Sequence, residues 1–315
     1  MGNTITIGAI IMKKLTDNQK IEVVQKYKTG NYTCKQLGLE YGVAGGSIAG
    51  ILKRRGVVVN NNQPELQRKY TLNQNFFDSI DSEEKAYFLG ILYADGSNYT
   101  PNNLVCLALQ AEDKEILVRL NGLIESNRPL GYKKGRLEHH KDTVLLNINN
   151  KNISEKLVML GCIRAKALIL EFPTEDQVPS HLIRHFIRGY FDGDGCVGVY
   201  NNKRVKNSIA KDVMLTKIVS TEDVCIKIQE ILFQRLNIKS SVSIPNKEQE
   251  FEKSTRQIST FTTVSSYKFL AWLYYDTDLY IQRKYDKFIL GKKLIDDDII
   301  NDIDAEISNI IKKYE

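Results

Sequence analysis

The sequence predicts a mixed α+β body built from two equivalent halves and preceded by a small all-helical module. Three observations carry this. A nine-residue pattern occurs twice, as FLGILYADG at 88–96 and IRGYFDGDG at 187–195, each at the end of a helical stretch. Each copy is followed by an apolar run that reads as a strand and then by an acidic helix start. Ahead of both, two Thr-x-x-Gln boxes mark short helices near the N-terminus.

The helical module comes first. Thr16 with Gln19 and Thr33 with Gln36 fit the capping box, in which a hydroxyl and an amide three residues later satisfy free helix amides. The first box opens a helix with Ile21, Val24 and Tyr27 on its apolar face, closing at Gly30. The second opens a helix through Leu37 and Leu39 to Tyr41, and Gly42 supplies a turn. A third helix follows over 45–54. Three short helices with a glycine turn between the last two resemble a helix-turn-helix. Gly45, Gly46, Ser47, Ala49 and Gly50 leave few side chains to reach base edges, whereas Lys53, Arg54 and Arg55 can clamp phosphates. Residues 57–75 are polar, Asn/Gln-rich and read as a linker.

Composition sets outer limits. The chain has 315 residues, 42% hydrophobic and 26% charged, ordinary for a globular protein. Its net charge of +6 is concentrated at one end, since residues 1–70 hold 11 Lys and Arg against 4 Asp and Glu. A basic module on a near-neutral body points to a polyanionic partner. The last stretch, 294–315, is acidic and amphipathic, a closing helix. Five scattered cysteines without a CxxC pair imply reduced thiols rather than a disulfide frame or zinc knuckle. No apolar run approaches a bilayer span. The opening MGNTIT matches only a loose acylation pattern, and Met12 reads as well as a start. The expected setting is cytoplasm or an organelle matrix, without secretion or a membrane partner.

The repeat is the strongest signal. Gly90 and Ala94 in the first copy, and Gly189 and Gly193 in the second, lie four apart on one helix face. Small residues at that spacing let two helices approach backbone to backbone. Each helical glycine costs about 1 kcal/mol, which demands a packing reason. Gly96 and Gly195 suit the left-handed position that ends a helix. Asp95 and Asp194 then stand at helix C-termini, where a carboxylate is locally disfavoured, and together they repel. A shared divalent cation removes both problems, and carboxylate oxygen is what Mg²⁺ prefers. A calcium loop opening at Asp192 fails, because Lys203 stands where a bidentate Glu is needed. His181 and His185 lie four apart, a spacing that more often serves packing than zinc.

The two copies, 99 residues apart, resemble the paired signatures of the LAGLIDADG homing endonucleases in their single-chain form, over about residues 76–290. The resemblance implies two pseudo-symmetric αββαββα half-domains, 76–176 and 177–293, forming a DNA-binding saddle. The helix-turn-helix (1–56), the linker (57–75) and the acidic closing helix (294–315) complete the chain. It implies a metal-dependent nuclease: Asp95 and Asp194 as ligands of Mg²⁺ (or Mn²⁺), assisted by carbonyls of Ala94 and Gly193. The partner is double-stranded DNA, cut by a monomer in a long near-palindromic site during homing of an intron or free-standing gene. Tyr93 stands where the first copy would carry aspartate, a packing position.

Each copy is followed alike. Over 104–110, Val105, Leu107 and Leu109 face a core and Gln110 faces water, before Glu112-Asp113 opens a helix. In the second repeat Ser220 stands where Gln110 does, before Glu222-Asp223; in the family this position helps order water near the metals. Each repeat then ends with a basic residue, Lys166 and Lys284, which the resemblance aims at the metal site. A cation there stabilises charge developing on a scissile phosphate. The turn-rich basic stretches 131–141 and 201–212 offer Lys133, Lys134, Arg136, Lys203, Arg204 and Lys206 to DNA. The alternatives are a non-cutting regulator of the same fold or a maturase acting on intron RNA. An intein is excluded by the lack of splicing residues at either end.

Overall fold

The computed structural model describes residues 15–29, 32–59, 70–135, 140–201, 212–244 and 255–314. The chain divides into two compact units, Met1–Thr71 and Leu72–Glu315, a division that falls inside the polar stretch read as a linker.

The first unit holds α1 (Asp17–Lys28), α2 (Cys34–Tyr41) and α3 (Gly45–Arg54). Both capping boxes form, with Thr16 and Thr33 accepting from Gln19 and Gln36 amides and the glutamines reaching back. Gly42 ends α2 in the left-handed region at φ 68°, as expected of the turn residue. The apolar faces are rotated from those expected. Val23 and Tyr27, one turn apart, are the buried pair of α1, while Ile21 and Leu39 are exposed. With only one small core to fill, formed with Leu37, Ile48, Ile51 and Leu52, each short helix buries a single narrow stripe. The expected stop at Gly30 lies outside the described residues.

In the second unit one pattern runs twice. The first half is α4 (Glu83–Ala94), β1 (Gly96–Tyr99), β2 (Leu104–Gln110), α5 (Lys114–Leu123), β3 (Gly131–Lys133), β4 (Thr143–Asn149) and α6 (Lys151–Met159). The second is α7 (Ile183–Asp194), β5 (Gly195–Asn201), β6 (Asp212–Ser220), α8 (Glu222–Leu236), β7 (Ser240–Ser243), β8 (Arg256–Thr260) and α9 (Thr263–Tyr274). Then come α10 (Gln282–Lys292) and α11 (Asp297–Tyr314). Each half is thus αββαββα, with a four-stranded antiparallel sheet ordered β1-β2-β4-β3 or β5-β6-β8-β7. The strand alternation holds, since Val105, Leu107 and Leu109 are buried and Ala108 and Gln110 exposed.

The motif helices α4 and α7 pack along each other as the shared centre of one core that spans both halves. A Cβ added to Gly90 would come within 3.0 Å of Phe186 O and Tyr190 N, and one on Gly189 within 3.0 Å of Tyr87 O and Ile91 N. The small residues therefore do what their spacing predicts. Gly96 and Gly195 do not take the left-handed conformation; both open strands, and Gly195 has φ −75°. They are needed for closeness instead. A Cβ there would lie 2.5 Å from Leu92 O or Phe191 O, because each strand turns straight back from the helix it follows.

Strand register corrects one correspondence. Gly96 faces Leu107 on β2, while Gly195 faces Ile218 on β6. Ser220, two past Ile218, therefore matches Leu109 and not Gln110, and it is buried. A slip of one residue moves a side chain to the opposite face. At the far end of the helix pair His185 is buried, with Nδ1 2.6 Å from Arg188 Nη1 and 3.2 Å from Glu83 Oε2, a packing role. His181 lies apart, in a 3₁₀ turn before α7. The closing helix α11 buries Ile300, Ile303, Ile307 and Ile311, and its Asp304 accepts from Tyr267 at 2.9 Å and Lys292 at 3.2 Å.

Candidate metal centre

The centre lies where α4 and α7 end together. Asp95 caps α4 and leads into β1, the edge strand of one sheet; Asp194 ends α7 and leads into β5, the edge strand of the other. Asp95 Oδ2 would be only 3.0 Å from a Cβ on Gly193, so the second glycine of α7 makes the room in which the carboxylate sits. Both aspartates are exposed. The protein packed around them still pushes both carboxyls up, and Asp95's charge adds to the effect on Asp194, which reaches about 6. These are two carboxylates whose joint ionisation is disfavoured.

Three cations moderate that repulsion. Lys284 and Lys166 lower the Asp95 carboxyl, Lys284 more strongly; on Asp194 the order is reversed. Lys284 is buried, donating to Phe191 O at 2.6 Å and Gly193 O at 3.0 Å. Burial depresses its ammonium to about 8. Lys166, on a 3₁₀ turn after Ala165 in the left-handed region, donates to Gly96 O. The third cation, Arg283, donates through Nε to Asp113 at 3.0 and 3.1 Å, tying the second half to the first. The structure therefore brings Asp95, Asp194, Lys166 and Lys284 together. The Gly193 carbonyl, expected to assist a metal, is occupied by Lys284.

Gln110 stands elsewhere. It lies three residues past Leu107, about 10 Å along the strand, and accepts from Lys141 at 2.9 Å, which also pairs with Glu112. Ser220 instead contacts Tyr190, with their oxygens 2.7 Å apart, and the Tyr190 hydroxyl bonds Asp194. The basic residues Lys53, Arg54, Arg55, Lys133 and Lys134 are exposed. Arg136, Lys203, Arg204 and Lys206 lie outside the described residues.

Two features escaped the sequence reading. Asp192 is fully buried and accepts from Tyr87 and Tyr274 hydroxyls at 2.8 and 2.7 Å and from Ile281 N at 2.8 Å. It knits the halves together, and burial raises its carboxyl against the pull of Lys284 and those donors. Its counterpart Tyr93 is buried too and donates to Leu160 O, the packing role expected of it. The other missed feature is the outward face of the sheets, where Ser97, Cys106 and Asn147 stand in register in the first half, and Cys196, Lys217 and Ser259 in the second. The alternation in TVLLNIN was a signal for part of this row.

Two copies of one αββαββα unit, meeting at two small-residue helices that each end in aspartate, define a single-chain, two-motif LAGLIDADG architecture. Residues 181–271, in the second half, match the family model of a LAGLIDADG-like domain. Solved structures with a similar chain course include the I-LtrWI LAGLIDADG homing endonuclease bound to target DNA, at 14% identity and a TM-score of 0.44, covering 77% of this chain and 99% of that one. Others are I-SmaMI bound to cleaved DNA (10%, 0.44, covering 73% and 96%) and I-AabMI bound to uncleaved DNA (10%, 0.43, covering 73% and 98%). No curated protein matches the chain. No described helix is long and apolar enough to cross a membrane.

Proposed function

We propose that this chain is a site-specific endonuclease that makes a divalent-metal-dependent double-strand break in a long, near-palindromic DNA site, acting as a monomer in the homing of an intron or free-standing gene. The observation that carries the reading is the pair Asp95 and Asp194, whose mutual repulsion at a meeting of two helix C-termini is relieved by a cation. That donor set, two carboxylates with open faces, fits Mg²⁺ or Mn²⁺. When bound, the metal supplies an activated water and charge neutralisation at the leaving oxygen.

The chain's own residues do the rest. Asp95 and Asp194 fix the reacting phosphates at the join of the two sheets. Lys284 and Lys166 hold positive charge beside the carboxylates, where negative charge grows on a scissile phosphate. The outward strand faces, with Ser97, Asn147, Lys217 and Ser259, meet the duplex, and exposed Lys133 and Lys134 take phosphates. Lys53, Arg54 and Arg55 of the N-terminal unit add backbone contacts.

The test is to incubate the protein with a randomised duplex library and Mg²⁺ and to sequence the ends. Paired ends clustering on one sequence support the reading. Binding without any ends, for wild type and Asp95→Asn alike, identifies a non-cutting regulator of the same fold.

A further inference from the structure

We infer that Tyr190, oriented by Ser220, is a positioning residue for Asp194 alone, so that the two aspartates are held unequally and the two strands of a bound duplex are cut at different rates. The inference rests on the nuclease reading of the centre and adds an internal asymmetry to it.

Tyr190 lies one turn before Asp194 on α7, and its hydroxyl bonds the Asp194 carboxylate. A carboxylate only accepts, so Tyr190 donates its proton there. Its oxygen is then left to accept from Ser220 Oγ, 2.7 Å away. Both residues are buried, at 2% and 7% exposure, which keeps bulk water from substituting for either hydroxyl. The relay therefore has one direction, from Ser220 through Tyr190 to Asp194, and it restricts the orientation of one metal-binding carboxylate.

The first half has no such device. The 99-residue offset that matches Gly90 to Gly189 and Asp95 to Asp194 matches Tyr190 to Ile91, which has no hydroxyl. Register matches Ser220 to Leu109. Both members of the relay are thus replaced by aliphatic side chains beside Asp95, whose moderating influences are the charges of Lys284, Lys166 and Arg283. The tyrosine ring itself stacks on Phe186, with centroids 6.4 Å apart, so packing explains the ring but not the hydroxyl pair.

Tyr190→Phe keeps the ring and removes the donor; Ser220→Ala removes the group that orients it. The full chain, with the duplex recovered from the library and each strand separately labelled, is followed in single turnover with Mg²⁺. Wild type should pass through a nicked duplex with one strand cut first. Tyr190→Phe should slow one strand about tenfold more than the other, and Ser220→Ala should slow the same strand by less. Equal slowing of both strands, or no change in their ratio, overturns the inference while leaving the nuclease reading intact. A second arm needs no cleavage: terbium(III), bound at the centre, should show tyrosine-sensitised emission that falls in Tyr190→Phe and in Asp194→Asn. Unchanged emission in Tyr190→Phe overturns the placement even if no duplex is ever cut.

Discussion

Gly90 and Gly189 are reciprocal: each stands where the backbone of the other motif helix passes, Phe186 and Tyr190 over the first, Tyr87 and Ile91 over the second. The 99-residue spacing of the repeat is thereby converted into a pseudo-twofold contact, and that contact is what delivers Asp95 and Asp194 to the same place.

A methyl group at either position must push two helices apart at the centre of the shared core. Gly90→Ala and Gly189→Ala should each destabilise the protein by on the order of 3 kcal/mol, as overpacking does. Gly122, in α5, is the control, because a Cβ there meets nothing within 4 Å. Gly122→Ala should instead stabilise by about 0.5–1 kcal/mol. Urea unfolding of the three variants checks this, and similar losses at Gly90 and Gly122 would remove the close-approach argument.

The carboxylates carry the second prediction. Asp95→Asn or Asp194→Asn should abolish double-strand cleavage while leaving DNA binding within about tenfold, since backbone and base contacts do the positioning. Chelation of divalent metal should reproduce the loss in wild type. Gel-shift and cleavage assays on one duplex separate the two effects. Full cutting by either variant contradicts the site assignment.

Lys166 and Lys284 make a third case. Replacing either with Met should slow cleavage by about 10²–10³, as expected for loss of one group that stabilises developing charge. Lys284 is buried on two carbonyls and Lys166 sits on a turn, so Lys284→Met should also lower thermal stability and Lys166→Met should not. If binding weakens in step while the rate from the bound state is unchanged, both are phosphate contacts only.

The thiols give a fourth prediction, with its sign set by burial. Cys162 and Cys225 are buried and their thiols are each pushed up to about 11, whereas Cys196 is exposed. At pH 8 Cys196 should react quickly with an aromatic disulfide, and Cys162 and Cys225 only on unfolding. Because an unfolded thiol ionises near pH 8.5, the unfolded state loses its proton first. Stability should therefore fall as pH rises from about 8.5 towards 11. Rapid native labelling of all three would refute the packing of α6 and α8.

Much of this was readable in the chain, and the parts that were not share a cause. Asp95, Asp194 and the glycine faces were legible because helix periodicity is local and the pattern is duplicated. The core face of Val105, Leu107 and Leu109 was legible because alternation along one strand is also local. The place of Ser220 was not, since it depends on Gly195 pairing with Ile218, a register fixed between strands. The role of Asp192 depends on Tyr87, Tyr274 and Ile281, 105, 82 and 89 residues away along the chain. Ile21 and Leu39 misled because an apolar residue on a short helix can still face water.

The N-terminal unit separates the two remaining functional readings most sharply. Its α3 presents Gly46 and Ser47 to solvent, and a Cβ on Gly46 would meet nothing within 4 Å. Such a face has no long side chains with which to read base edges. Lys53, Arg54 and Arg55, all exposed beside it, can still engage phosphates, which carry no sequence information. Removing residues 1–71 should therefore weaken binding and flatten its dependence on salt, by about one unit of slope for every phosphate that this unit neutralises. The shortened protein should cut the same site, because Asp95, Asp194 and both sheets remain. A regulator would behave in the opposite way, with residues 1–71 alone selecting an operator and the body cutting nothing. Footprints of full-length and shortened protein on one duplex, at several salt concentrations, distinguish these outcomes. Loss of sequence selectivity on truncation would show that α3 reads bases after all, through its backbone or through Ser47.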